Sequence, residues 1–268
     1  MSTYETVLVE YSHNKRIATV TMNRPEIHNA MSSQLLLDLQ AAFQELGTNA
    51  NLAGVILTGA GKSFSAGADL AMMQAAANYT KEQNQQDAQT MAGAFEHINN
   101  FPAPIVARVN GAALGGGLGL MAVCDIVIAT DTARLAFSEV KLGIAPAMIS
   151  PYIISKIGTS WARRLFVTGE RFTPALAREI GLVHTVVPLA ELDAAVENTI
   201  QELLSSAPQA MRACKNLACT VGHMDPVAAR NFTAETIARL RVSEEGQEGL
   251  KAFLEKRKPN WISAQEEA

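Results

Sequence analysis

The sequence predicts an α/β fold, and three observations carry the prediction. Short apolar runs rich in β-branched residues, at Val55–Thr58, Ile105–Val109 and Ile126–Ala129, read as buried strands. Segments of helical periodicity alternate with them. An unusual triplet, Gly115-Gly116-Gly117, opens the apolar segment after the second of these strands, and a buried helix suits that segment.

In chain order, Val7–Glu10 and Ile17–Met22 predict a hairpin across the polar turn His13-Asn14-Lys15. Leu35, Leu39, Phe43 and Leu46 recur at helical spacing over Ser32–Leu46. After the strand at Val55–Thr58 comes a stretch of small residues, Ala60-Gly61-Lys62-Ser63-Phe64-Ser65-Ala66-Gly67-Ala68-Asp69-Leu70, which reads as a loop. Lys81–Ile98 predicts a helix whose Gln-rich start is solvent-exposed or mobile. Asn110-Gly111 is a turn signal directly after Ile105–Val109. From Ser150 onward the pattern is almost all helical, with one short strand at Val183–Val187. No linker rich in Pro, Gly or Ser divides the chain, so the boundary between residues 1–200 and 201–268 is a soft one.

Composition narrows the function classes. A chain of 268 residues, 48% hydrophobic and 18% charged, is ordinary for a soluble globular protein of one domain or one domain with an appendage. A net charge of −4 gives no reason to expect nucleic acid or an anionic membrane as partner. No apolar run approaches the roughly 20 residues of a membrane span. Met1-Ser2-Thr3-Tyr4-Glu5 lacks the pattern of an export signal. Cys124, Cys214 and Cys219 are odd in number, with no Cys-x-x-Cys pair. Buried free thiols in a reducing cytoplasm are the expectation, and no metal site is expected.

The glycine triplet points to chemistry. Adjacent glycines cost conformational entropy, so bare backbone there is expected to approach something closely. The first N–H groups of a helix lack intrahelical partners and lie at the positive end of its dipole. A glycine-rich helix start therefore suits an anion, or an oxygen on which negative charge develops. Tight helix packing is the structural alternative.

Other motifs fall away on spacing. Gly117-x-Gly119-x-x-Ala122 matches a dinucleotide fingerprint, but Ile105–Val109 ends too early for it. Gly61-Lys62-Ser63 resembles the end of a P-loop, but Ile56 stands where its first glycine belongs. Ser65 fails as a nucleophile elbow because Ser63 replaces the leading glycine. None of the five histidines has metal-ligand spacing, and His28 reads as a surface, packing or ligand-proximal residue.

The Ser65-Ala66-Gly67-Ala68-Asp69 loop, with Asn110-Gly111-Ala112-Ala113-Leu114-Gly115-Gly116-Gly117 and the later Cys124-Asp125, resembles the enoyl-CoA hydratase/isomerase (crotonase) family. The resemblance runs from about residue 5 to the C-terminus. It implies a spiral of ββα repeats with a helical C-terminal trimerisation region, assembling as trimers or as dimers of trimers. It implies an acyl-CoA thioester as substrate, with coenzyme A part of the substrate and no separate cofactor. The backbone N–H groups of Ala68 and Gly116 then hold the thioester oxygen. Coenzyme A lies across residues 65–70, so Ser65, Ala66, Gly67, Asp69 and Leu70 become binding residues, with Gly115. Arg24, and less directly Lys62, are candidates for the phosphates. Phe253 and Lys256 reach the ligand, often from a neighbouring subunit; a solvated helix end is the alternative for Lys256. Met72 and Met73 line the acyl pocket or pack in the core.

The family's hydratases carry two glutamates. The one before the Leu142-Gly143-Ile144-Ala145-Pro146 motif is Glu139, whose apolar flanks are expected to raise its pKa toward the range useful for acid–base work. A surface glutamate paired with Lys141 or Lys156 is the alternative. The other glutamate's place is Gly119. After Pro146 the family pattern Gly-x-Gly-Gly-Thr is replaced by Ala147-Met148-Ile149-Ser150-Pro151. With the ending Arg241–Gly249, these departures look like the bacterial branch acting on 3-methylglutaconyl-type thioesters, which includes isohexenylglutaconyl-CoA hydratases. Hydration is the leading expectation. Δ3–Δ2 isomerisation with the single glutamate, or thioester binding without chemistry, are the alternatives.

Overall fold

The chain climbs between two sheets, and this alternation sets where the site forms. The computed structural model describes Tyr4–Ser263. β1 (Val7–Ser12) and β2 (Ile17–Met22) form the antiparallel hairpin that the sequence predicts. His13, Asn14 and Lys15 turn it with positive φ. α1 (Ser33–Gly47) is capped by the Ser32 hydroxyl, which accepts the Leu35 N–H at 3.2 Å. Its apolar stripe, including Leu35, Leu39, Phe43 and Leu46, is buried.

From β3 (Gly54–Gly59) the unit is strand, strand, helix. β3 leads into β4 (Ser63–Ser65), then α2 (Leu70–Ala76) and α3 (Lys81–Asn99). β5 (Ile105–Val109) leads into β6 (Ala112–Leu114) and α4 (Gly116–Ala122). β7 (Ile126–Thr130) leads into β8 (Leu135–Ala136), a 3-10 helix at Ser138–Leu142 and α5 (Ser150–Thr168). The first strand of each unit joins the six-stranded sheet and the second joins a four-stranded sheet. Then follow β9 (Arg171–Phe172), α6 (Pro174–Glu179), β10 (Thr185–Val187) and α7 (Leu192–Ser205). The large sheet runs β1-β2-β3-β5-β7-β10, parallel beyond β2; the small one runs β4-β6-β8-β9, parallel until β9.

The small sheet corrects the sequence reading. Ser63–Ser65, expected as loop, is a strand, and the strand expected at Val183–Val187 begins at Thr185. α3 matches its prediction, with Thr80 and Gln83 closing a capping box at its exposed start.

The main core lies between the sheets and α1, α3, α4 and α5, and a second cluster packs α7 on β2, β5 and β7 through Ile17, Val106, Ile128, Val196 and Ile200. Residue 200 is thus inside a helix bound to the core. The helical region proper follows it: α8 (Pro208–Thr220), α9 (Pro226–Val242), α10 (Glu244–Leu254) and α11 (Asn260–Ser263). Lys215 ties α8 to the core through Asp125 at 2.7 Å. Cys124 is a buried free thiol, as expected, but Cys214 and Cys219 are exposed, because α8 turns them away from the core. Among the described residues no cluster could hold a metal ion, and no helix is long and apolar enough to cross a membrane.

Candidate active site

Three successive repeats each deliver one group to the same place. β4, β6 and β8 are parallel neighbours, so their C-terminal ends lie at one edge of the small sheet. Ala68 follows the end of β4, Gly116 follows the end of β6, and Glu139 follows the end of β8. Binding sites in parallel α/β folds collect at such strand ends. All three residues line one cavity of about 170 Å³.

Two N–H groups there have no acceptor among the described residues. Met31 brackets Ala68: its N–H donates to Gly67 O at 2.7 Å, and its carbonyl accepts the Asp69 N–H at 3.0 Å. Ala68 N–H itself has no acceptor among the described residues. Gly116 is the first residue of α4, so its N–H has no intrahelical partner, and no side chain caps it. Gly115, with φ +48° and ψ −119°, makes the turn that presents this N–H. A Cβ on Gly115 would stand 2.9 Å from Glu139 Oε1, so glycine is what lets backbone and carboxylate approach.

Glu139 lies in the 3-10 helix Ser138–Leu142. Its Oε2 is buried and accepts no hydrogen bond among the described residues. Burial pushes its carboxyl above the ordinary range, opposed by a hydrogen bond from its own backbone. The alternative of a surface ion pair is not what forms: Lys156 donates to Cys124 O instead, at 3.0 Å. The rest of the lining is Met31, Met73, Met91, Phe95, Met148 and Ile149, with small and apolar residues of the rims. Among the described residues Glu139 is its only titratable side chain.

The other expected site residues divide. Ala66, Gly67 and Gly115 line the cavity. Ser65 is fully buried and donates to Asn29 O at 2.9 Å, so it holds the loop from beneath. Asp69 caps α2, accepting the Ala71 N–H at 2.8 Å, and pairs with Arg24 at 2.8 Å. The Ala71 hydrogen bond first, and Arg24 after it, hold the Asp69 carboxyl below its usual value. Arg24 also donates to Ala30 O at 2.6 Å, so both its terminal nitrogens are engaged inside the protein. Lys62 is exposed and His28 bonds Ser63 Oγ at 3.0 Å. Leu70 is exposed on the rim. Met73 lines the cavity whereas Met72 does not, because α2 turns successive side chains to different sides. Phe253 and Lys256 are exposed and are not part of the lining within this chain.

The roles of two residues escaped the sequence reading: Met31, whose backbone brackets Ala68 and whose side chain packs against Gly116, and Ile149. A Cβ on Gly116 would collide with Met31 Cε, and one on Gly119 with Ile149 Cγ2. No local motif marks Met31; Ile149 lies in the Ala147–Pro151 departure from the family pattern, but its contact with Gly119 exists only in the fold.

The chain is similar to known proteins over nearly its whole length. The family model for enoyl-CoA hydratase/isomerase matches residues 12–264. A crotonyl-CoA hydratase of Syntrophomonas wolfei is 33% identical over 97% of this chain and 99% of its own. A short-chain-enoyl-CoA hydratase of Clostridium acetobutylicum is 33% identical over 91% of this chain and 93% of its own. Among solved structures, Pseudomonas aeruginosa AtuE superposes with a TM-score of 0.93 at 34% identity, covering 96% of this chain and all of that one. An enoyl-CoA hydratase from Shewanella pealeana superposes at 0.90 with 39% identity, covering 96% of both chains.

Proposed function

The chain belongs to the enoyl-CoA hydratase/isomerase family, and from that premise we propose that it adds water across the 2,3 double bond of an acyl-CoA thioester. The observation that carries the reading is the convergence of two unpaired N–H donors and one buried carboxylate on one apolar cavity. The thioester oxygen sits between the Ala68 and Gly116 N–H groups, which stabilise the charge it gains. Glu139 takes a proton from water as the water oxygen bonds to the β-carbon. It then returns that proton to the α-carbon as the enolate collapses. The net change is addition of one water molecule.

Family names support the reaction, and the lining supports an apolar acyl group. A branched 3-methylglutaconyl-type thioester is the finer substrate proposal from the sequence. No described Lys, Arg or His lines the cavity, so the distal carboxylate of such a substrate has to face the mouth; buried without a partner it would be strongly unfavourable. Coenzyme A is placed across residues 65–70, with no cofactor beyond it. The exposed apolar residues Val242, Phe253 and Leu254, at 79%, 81% and 78%, suit a homotrimer contact. A trimer would give Phe253 and Lys256 a neighbouring subunit's ligand to reach. Sedimentation giving a monomer at micromolar concentration would remove that role.

Δ3–Δ2 isomerisation is a second reading, favoured by the single titratable side chain of the lining. One panel separates the readings. Acyl-CoAs of short, long, branched and glutaconyl type are incubated with the protein and followed by absorbance and mass. Loss of enoyl absorbance with gain of water mass is expected. A shifted double bond at unchanged mass replaces hydration by isomerisation. Binding without either change removes catalysis.

A further inference from the structure

Ile149 stands between Gly119 and the cavity. It lines the cavity, is 3% exposed, and its Cγ2 occupies the space that a side chain at 119 would enter. A Cβ at 119 would also lie 3.1 Å from the ring of Phe95, another lining residue. Neither neighbour can easily move aside. Ile149 immediately precedes α5, and its carbonyl accepts the Ile153 N–H at 3.1 Å. Phe95 is buried on α3, with its ring 6.4 Å from that of Tyr152 on α5. The absence of a side chain at 119 therefore leaves no opening; hydrocarbon from a residue thirty positions later fills the place.

We propose that Ile149 is a specificity-determining residue: it walls the cavity where a side chain at 119 would enter, leaving Glu139 as the only acid–base group and limiting the bulk of the acyl group. The inference rests on the reading of the cavity as an acyl-CoA thioester site. Two things follow from the wall. A carboxylate cannot be supplied at 119 by substituting that residue alone, because buried glutamate would have to displace Ile149. Shortening Ile149 removes branched hydrocarbon from the lining, so a bulkier acyl group gains room without any change in the N–H donors or Glu139.

The test uses saturated thioesters, so that binding is read without turnover. Affinities for butyryl-CoA, 3-methylbutyryl-CoA and free coenzyme A are measured by calorimetry on the parent and on Ile149→Ala, with thermal melts confirming folding. The expected result is a shift of about tenfold in the ratio of affinities toward the branched thioester in Ile149→Ala, a factor on the scale of one or two buried methyl groups. An unchanged ratio, with both thioesters still bound more tightly than free coenzyme A, overturns the role of Ile149 while leaving the thioester site in place. No preference of the parent for thioesters over coenzyme A overturns the site itself. A second arm compares Gly119→Glu with Gly119→Glu/Ile149→Gly. The double variant is expected to melt higher than Gly119→Glu alone and to add a second ionisation to the pH profile of hydration. A double variant that melts no higher than Gly119→Glu shows that Ile149 does not hold that space, and overturns the proposal.

Discussion

α2 and α4 occupy the same place in successive repeats, yet they are held very differently. Each is seven residues long, each follows a strand of the small sheet, and each has one of the two free N–H donors at or just before its start. In α4 every residue from Gly117 to Ala122 is buried. In α2 none is, and Leu70 at its start is 74% exposed. Topology thus sets where the donors sit, whereas burial sets how firmly. The α4 side is fixed by packing. The α2 side is fixed by a few hydrogen bonds to Met31, Arg24 and Asp69. On the proposed function, holding one developing charge while admitting a long ligand gains from that division.

The largest expected effect belongs to neither helix but to the carboxylate between them. Glu139→Gln should lower turnover by about 10²-fold or more, the scale of general acid–base catalysis, while acyl-CoA affinity is retained. Its pH behaviour has a definite sign. Burial raises the carboxyl's pKa in the folded protein, so the fold binds this proton more tightly than the unfolded chain does. Stability attached to Glu139 is therefore full at low pH and falls as pH rises through the raised pKa. Glu139→Gln should melt higher than the parent at neutral pH, with the gap closing below the ordinary carboxylate range. A gap that persists at low pH would mean the gain has another source.

Next comes the donor on the rigid side. Gly116→Pro deletes the N–H, and loss of one such donor costs about 3 kcal/mol of transition-state stabilisation. Any side chain at 116 meets Met31 Cε, so Gly116→Ala is the matched control: it brings the same collision and keeps the donor. Both should melt lower than the parent, and the proline variant should be the less active by about 10²-fold. Equal activities would show that the N–H is not used.

These positions also show what a sequence can display. The glycine triplet is legible because three glycines in a row at a strand-to-helix junction need a close backbone approach, and Gly115 makes one against Glu139. Long elements such as α1, α3 and β5 are legible because apolar spacing repeats within them. The strands of the small sheet are two or three residues long, as at Leu135–Ala136, too short for any period to appear. Gly119 reads as a missing glutamate from its motif, but the filling of its space by Ile149 does not, since the two meet only in the fold. Arg24 reads as a free cation because its partner, Asp69, comes from a later loop.

On the α2 side, Arg24→Ala should have an intermediate effect. It removes the tie to Asp69 and the bond to Ala30 O, both little exposed, at a cost of about 1–3 kcal/mol. Asp69 has a depressed pKa, so its contribution is present above the ordinary carboxylate value and is lost as pH falls through the lower, folded one. The melting deficit of Arg24→Ala should accordingly shrink on acidification. A deficit independent of pH would assign the loss to Ala30 O alone.

The smallest effect is expected at Leu70, and it sharpens the comparison most directly. The side chain is largely in solvent at the first turn of α2, so Leu70→Ser removes little buried surface. An exposed substitution of this kind changes stability by about 0.5 kcal/mol or less, which in a chain of this size is a shift of roughly 1–2 °C in melting temperature. If coenzyme A lies across residues 65–70, the same substitution strips apolar contact from the ligand. KM should then rise about threefold to tenfold, the scale of a lost apolar contact, while kcat stays near the parent value, because the donors and Glu139 are untouched. A large melting loss would show that α2 is anchored as firmly as α4 and would dissolve the contrast between them. An unchanged KM with an unchanged melt would keep the contrast but move the ligand off this face of α2. A change in kcat alone would mean that α2 positions the Ala68 N–H through its own packing rather than through Met31 and Asp69.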